Sequence, residues 1–151
     1  RHSTSYHCYS SPNHYQSDSY RRSYGGGYGN YQVSQVRYVL DTAVTGFQAA
    51  RDESIRLRGI KCPVVVHSGF WGCGAFGGNR VMMALLQMIA AEMAGLERLV
   101  MHTFDPDGTK ALAEATRVIK TQLDGESLVQ TDQLIDRIVA LGFEWGIGDG
   151  T

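Results

Sequence analysis

The 151-residue sequence predicts an α/β fold. Three observations carry that expectation. Pro63-Val-Val-Val-His67 is short, apolar and β-branched, as a strand buried in a parallel sheet is. The stretch from Val81 to Ala94 is apolar over a helical length and is bounded by Asn79 and Gly95. A second apolar run, Arg98-Leu-Val-Met-His-Thr-Phe104, follows directly. Strand, helix, strand is a βαβ unit. Its crossover is right-handed, and α/β sheets bind ligands at the carboxyl ends of their strands.

Residues 1–33 stand apart as a low-complexity segment. Seven of the eight tyrosines lie within residues 1–31, among Ser, Asn and Gly, and Asp18 is the only acid there. With so little aliphatic surface the segment cannot offset its ordering entropy by burial, so disorder is expected. The functional alternative is a Tyr/Arg segment that stacks on a ligand or on RNA. His2, His7, Cys8 and His14 lie in it without the paired spacing of a metal site.

Residues 34–151 read as one globular unit. From Ser34 to about Ile55, Val36, Val39, Leu40, Ala43, Val44 and Phe47 recur at helical spacing, and Arg51 to Arg58 form a charged, solvated end. After the first strand and the glycine-rich loop, Asn79 caps the apolar helix and Gly95 stops it. Thr109–Leu123 and Thr131–Leu141 read as two further amphipathic helices. The tail, 142–150, has room for a short strand and is expected to fray. Two strands are fewer than a complete α/β sheet needs, so the core reads as part of a larger one.

Composition narrows the function classes. A net charge of -1 and a pI near 6.6 argue against general nucleic-acid binding. Cys8, Cys62 and Cys73 are odd in number and widely spaced, which suits a reducing compartment better than a disulfide framework. No signal peptide opens the sequence, and Gln87 and Glu92 interrupt an apolar stretch too short to span a bilayer. A soluble protein of the nucleus or cytoplasm is expected, without membrane attachment or cofactor. Arg1 in place of Met suggests a processed or partial product.

The functional signal lies in His67-Ser-Gly-Phe-Trp-Gly-Cys-Gly-Ala-Phe-Gly-Gly-Asn79, which contains five glycines. Glycine loses more backbone freedom on folding than any other residue, so such a loop needs a reason. A helix N-terminus offers unpaired N–H groups and a partial positive charge, and glycines before it let the backbone close on an anion. Gly72, Gly74, Gly77 and Gly78 supply that backbone, and Phe70, Trp71 and Phe76 can flank phosphates and pack on a ribose or base. The alternative is a tight turn whose aromatics complete the core, and Trp71 by itself reads as core.

Gly72-Cys-Gly-Ala-Phe-Gly77 also fits G-x-G-x-x-G, but the five residues His67 to Trp71 precede it, where the fingerprint begins at the strand end. The nearest acid on the next strand, Asp105, is 28 residues past Gly77 rather than about 20. A nicotinamide site is disfavoured. A P-loop fails for want of Gly-Lys-Ser/Thr. Cys73 as a nucleophile needs His67 or His102 as its base, and nothing in the sequence pairs them.

Ser68-Gly-Phe-Trp-Gly-Cys-Gly-Ala-Phe-Gly-Gly-Asn79 resembles the Thr-Gly-Asn-Trp-Gly-Cys-Gly-Ala-Phe-Gly-Gly-Asp signature of poly(ADP-ribose) glycohydrolases. Ala43-Val-Thr-Gly-Phe47 is similar to the family's Ala-Tyr-x-Gly-Phe segment, and Ala84–Ala91 and Thr103-Phe-Asp105 are similar to its downstream part. The resemblance covers about residues 36–105. It implies a macrodomain, a three-layer α/β/α sandwich, of which this chain is the C-terminal portion. It further implies ADP-ribose, or poly(ADP-ribose) on modified proteins, as ligand. By the same resemblance Gly72, Cys73, Gly74, Ala75, Gly77 and Gly78 would form its diphosphate loop, and Phe76 would pack beside the distal ribose.

The chain departs from the pattern at three places. Phe70 replaces an Asn, and Asn79 replaces the closing Asp. The third is the catalytic motif, three glycines followed after a gap by Gln-Glu-Glu. Here Gly25-Gly26-Gly27 is followed by Gln35-Val36-Arg37, but that run lies in low-complexity sequence, much closer to the loop than the family places it. It reads as coincidence, so no paired carboxylate is present. Glycosidic cleavage needs a carboxylic acid to protonate the leaving oxygen. Glu53, the acid nearest the loop in sequence, sits in a charged helix end. No catalytic residue is therefore assigned, and the chain alone is expected to be inactive. A binding module that reads ADP-ribose without cutting it is the second reading, and a Rossmann-type oxidoreductase the third.

Overall fold

The computed structural model describes residues 29–59, 63–123 and 131–145. The disorder expected of residues 1–28, the metal candidates His2, His7, Cys8 and His14, the Gly25–Gly27 run and the tail from Gly146 to Gly150 lie outside the described residues.

Helix α1 (Val33–Arg58) buries Val36, Leu40, Ala43 and Phe47, one face at helical spacing. It runs three residues past the expected Ile55. Arg56 and Arg58 favour the negative C-terminal end of the helix dipole, and the chain leaves at Gly59, whose φ of 91° suits glycine. Strands β1 (Val65–Ser68) and β2 (Arg98–Met101) pair in parallel, from Val65↔Arg98 to Ser68↔Met101. Each is shorter than the apolar run that predicts it. Beyond β2 the chain leaves extended geometry, with Phe104 at φ 61°. Val66 and Ser68 are half-buried on the helix side of the sheet, whereas Val65 and His67 point to the other face and are exposed.

Helix α2 (Arg80–Met93) joins the two strands and forms the centre of the core. Every residue from Met82 to Gln87 is buried, as are Ile89, Ala90 and Ala91. The side chain of Asn79 accepts a hydrogen bond from the Met82 N–H at 3.1 Å, the cap its sequence position predicts. At the far end Gly95 (φ 65°) donates to the Glu92 carbonyl and Leu96 to that of Ala91, which together make a Schellman stop.

Helix α3 (Pro106–Val118) starts three residues before the expected Thr109. Asp105 caps it through the Gly108 N–H, and Pro106 suits the first helical position because that position needs no N–H donor. Its last turns, Ile119–Leu123, are π-helical. Helix α4 (Thr131–Ala140) buries Leu134, Ile135 and Ile138, and Asp132 pairs with Arg37 of α1.

The fold is α/β with parallel strands, as the sequence predicts. In place of a C-terminal strand, a single antiparallel bridge joins Asn30 to Glu144. That bridge changes the reading of the leader's end. Tyr31, inside the segment expected to be disordered, is 2% exposed and stacks on Trp145 with ring centroids 4.3 Å apart. Among the described residues no helix is long and apolar enough to cross a membrane.

Candidate functional site

The loop between β1 and α2 has the backbone geometry that its glycines suggest. Gly72 and Gly77 both have φ 66°, a left-handed conformation that costs other residues about 1–2 kcal/mol. The Gly77 N–H donates to the Gly74 carbonyl at 2.9 Å and the Gly78 N–H to that of Gly72 at 2.8 Å, folding the loop back on itself. A Cβ on Gly78 would lie 2.8 Å from the Gly72 oxygen, so this glycine is required by contact rather than by φ. The Cys73 N–H reaches the Phe70 carbonyl at 3.3 Å. The N–H groups of Gly72, Gly74, Ala75 and Phe76 have no acceptor among the described residues.

Both ends of the loop are anchored in buried structure. At its start, Gln87 is fully buried, and its amide donates to the Gly69 carbonyl at 2.8 Å and the Met83 carbonyl at 3.2 Å. The Ser68 hydroxyl donates to the Gln87 Oε1, which completes that side chain's hydrogen bonding. At the loop's end the Asn79 N–H donates to the Tyr31 hydroxyl at 2.9 Å, and the Asn79 amide donates to the Glu144 carbonyl at 3.1 Å. Neither anchor is legible in the sequence, where Gln87 is only a polar interruption and Tyr31 belongs to the leader.

The three loop aromatics separate in role. Phe76 is 79% exposed. Trp71, expected in the core, is 38% exposed and leans on Phe47 of α1, with ring centroids 5.9 Å apart. Phe70 is half-buried, with the Arg80 guanidinium 5.6 Å from its ring centre. A second exposed ring stands beside the loop. Phe104, 86% exposed and at positive φ, lies so close to Gly69 that a Cβ there would sit 3.2 Å from its ring.

Charged groups at the site are committed to structure. Arg80 donates to both oxygens of Asp105, at 2.8 and 2.9 Å. The hydrogen bond from the Gly108 backbone and the Arg80 pair hold the Asp105 carboxyl below its ordinary range. An acid so occupied is not the ribose-binding acid of a dinucleotide site. Burial pushes the Cys73 thiol up to about 11, against the pull of Arg80, which argues against a thiolate nucleophile. His67 and His102, its candidate bases, bond to each other instead, Nδ1 to Nε2 at 3.0 Å. Glu53 is exposed and paired with Arg56. The Gln35 side chain accepts from the Gln32 N–H at the start of α1, and Arg37 pairs with Asp132. Among the described residues no three His, Cys, Asp or Glu side chains are grouped as a metal site.

A family model described as Poly (ADP-ribose) glycohydrolase (PARG), Macro domain fold, matches residues 14–111, more than half of the chain. The chain belongs to this family. The glycohydrolase match takes in α1, the glycine loop, the whole βαβ unit and the start of α3, and it begins within the Tyr-rich leader. No curated protein and no solved structure matches the chain.

Proposed function

We propose that this glycohydrolase-family chain binds ADP-ribose, free or as a unit of poly(ADP-ribose), at the loop between β1 and α2. The observation that carries the reading is the set of N–H groups at Gly72, Gly74, Ala75 and Phe76 that have no acceptor among the described residues, just before the N-terminus of the most buried helix. Such groups are exposed donors beside the positive end of a helix dipole, where a diphosphate is favoured. The loop backbone from Gly72 to Gly78, with Cys73 and Gly77, forms the cradle. Phe76 offers its open ring to the distal ribose, and Phe104 offers a second apolar wall on the strand side.

Recognition and cleavage are separable here. Cleavage needs an acid at the leaving oxygen. The sequence carries no Gln-Glu-Glu run, and Gln35 and Arg37 are engaged in α1's own hydrogen bonding and ion pairing. The chain alone is therefore a reader of ADP-ribose rather than a hydrolase. Two assays test this together. In amide NMR, ADP-ribose should shift the resonances of Gly72, Gly74, Ala75 and Phe76 first. Incubation with labelled poly(ADP-ribose) should release no ADP-ribose. Release at an enzymatic rate would overturn the reader assignment, and unmoved loop amides would overturn the site.

A further inference from the structure

The pair formed by His67 and His102 stands outside the glycine cradle of Gly72–Gly78. His67 closes the exposed face of β1, and His102 follows β2 directly, so two paired strands hold the rings side by side. Backbone pairing continues through the site, where the His102 N–H donates to the Ser68 carbonyl at 2.8 Å. Both side chains belong to exposed residues. Their facing nitrogens are 3.0 Å apart, and their rings lie within 25° of parallel with centroids 5.3 Å apart. Among the described residues, no other partner engages His67 Nε2 or His102 Nδ1.

We infer that His67 and His102 form a two-point site for a divalent transition-metal ion of the Cu²⁺ or Ni²⁺ type. Imidazole is a ligand for such ions, and metal–nitrogen bonds are about 2.0–2.1 Å. Two nitrogens 3.0 Å apart on bonds of that length subtend about 95° at the metal. That is the angle between neighbouring ligands in square-planar or octahedral geometry, which Cu²⁺ and Ni²⁺ adopt. A tetrahedral Zn²⁺ would hold the nitrogens about 3.3 Å apart, so it fits less well.

Occupation replaces the proton that the two rings share. Each ring turns so that its lone pair meets the ion. The shared proton moves to the outer nitrogen of the ring that donated it, so the pair stays neutral and no proton is lost. Water fills the remaining positions. The paired strands hold the two rings side by side before the ion arrives.

The test uses the full chain with His2, His7 and His14 replaced by Gln and Cys8 by Ser, which leaves the pair as the only histidines. Calorimetric titration with Cu²⁺, repeated with Ni²⁺ and Zn²⁺, should give one saturable site. Affinity should rank Cu²⁺ above Ni²⁺, with Zn²⁺ well below its usual standing relative to Ni²⁺. Binding to the folded state should also raise the melting temperature. His67→Gln and His102→Gln should each abolish the site, while circular dichroism without metal stays unchanged. Binding that survives either substitution, or that is absent from the parent, would overturn the proposal.

Discussion

The hydroxyl of Tyr31 accepts a hydrogen bond from the backbone N–H of Asn79 at 2.9 Å, across 48 positions of sequence. Asn79 ends the glycine loop and caps α2, so this contact ties the loop to the chain that precedes α1. Desolvation raises the Tyr31 pKa above its ordinary value, as burial in an apolar stack with Trp145 should. Tyr31→Phe keeps the stack and removes only the acceptor. It should cost about 1–3 kcal/mol, because an N–H at the loop's end loses its partner. Urea unfolding should show that loss, and exchange of the Asn79 amide should speed up. An unchanged midpoint would show that the contact is incidental.

Two glycines make opposite predictions. In Gly78→Ala the new methyl group meets the Gly72 oxygen at 2.8 Å, so the loop must open. ADP-ribose binding should fall at least tenfold in titration. Gly46, exposed in α1, has open space around its Cβ position. Gly46→Ala should stabilise the fold by about 0.5–1 kcal/mol through helix propensity, with binding unchanged. Equal effects from the two would contradict the assignment of the loop.

Cys73 gives an alkaline signature. Its thiol is pushed up to about 11 by burial, whereas a free thiol ionises near 8.5. Iodoacetamide labelling of the Cys73 peptide, read by mass spectrometry, should therefore rise with a midpoint near 11. Stability falls over the same pH range. Above about pH 8.5 the unfolded thiol loses its proton first, so stability declines from there until the folded thiol also ionises. A labelling midpoint at or below that of a free thiol would contradict the burial.

Asp105 gives the acid counterpart. Its carboxyl is held below the ordinary range, chiefly by the Gly108 N–H and then by Arg80. Its contribution is complete above the unfolded value and is lost as the pH falls through the folded one. Thermal melts from pH 6 to pH 2 should show a steeper acid loss for the parent than for Asp105→Asn. Parallel curves would remove Asp105 from the account.

Local chemistry was legible in the sequence and long-range contact was not. The Asn79 cap, the Gly95 stop and the parallel strands follow from side-chain size, hydrogen-bonding capacity and left-handed freedom within a few residues. Asp105 illustrates the limit. Its distance from Gly77 ruled against a ribose contact, but its structural use depends on Arg80, 25 residues away. Tyr31 was hidden by the composition of its neighbours, since burial here is set by Trp145 at the other end of the chain. Phe104 gave no signal because a left-handed Phe is a local exception that no residue pattern marks. The family signature found the loop, and only the fold shows which of its N–H groups lack an acceptor among the described residues.

The most direct measurement is calorimetric titration of the chain with ADP-ribose, with NAD as control, for the parent and for Phe76→Ala. The account predicts saturable ADP-ribose binding in the parent, weaker binding of NAD and loss of the signal in Phe76→Ala, with both proteins melting cooperatively. A cooperatively folded parent that gives no heat with ADP-ribose, or that binds NAD more tightly, would contradict it.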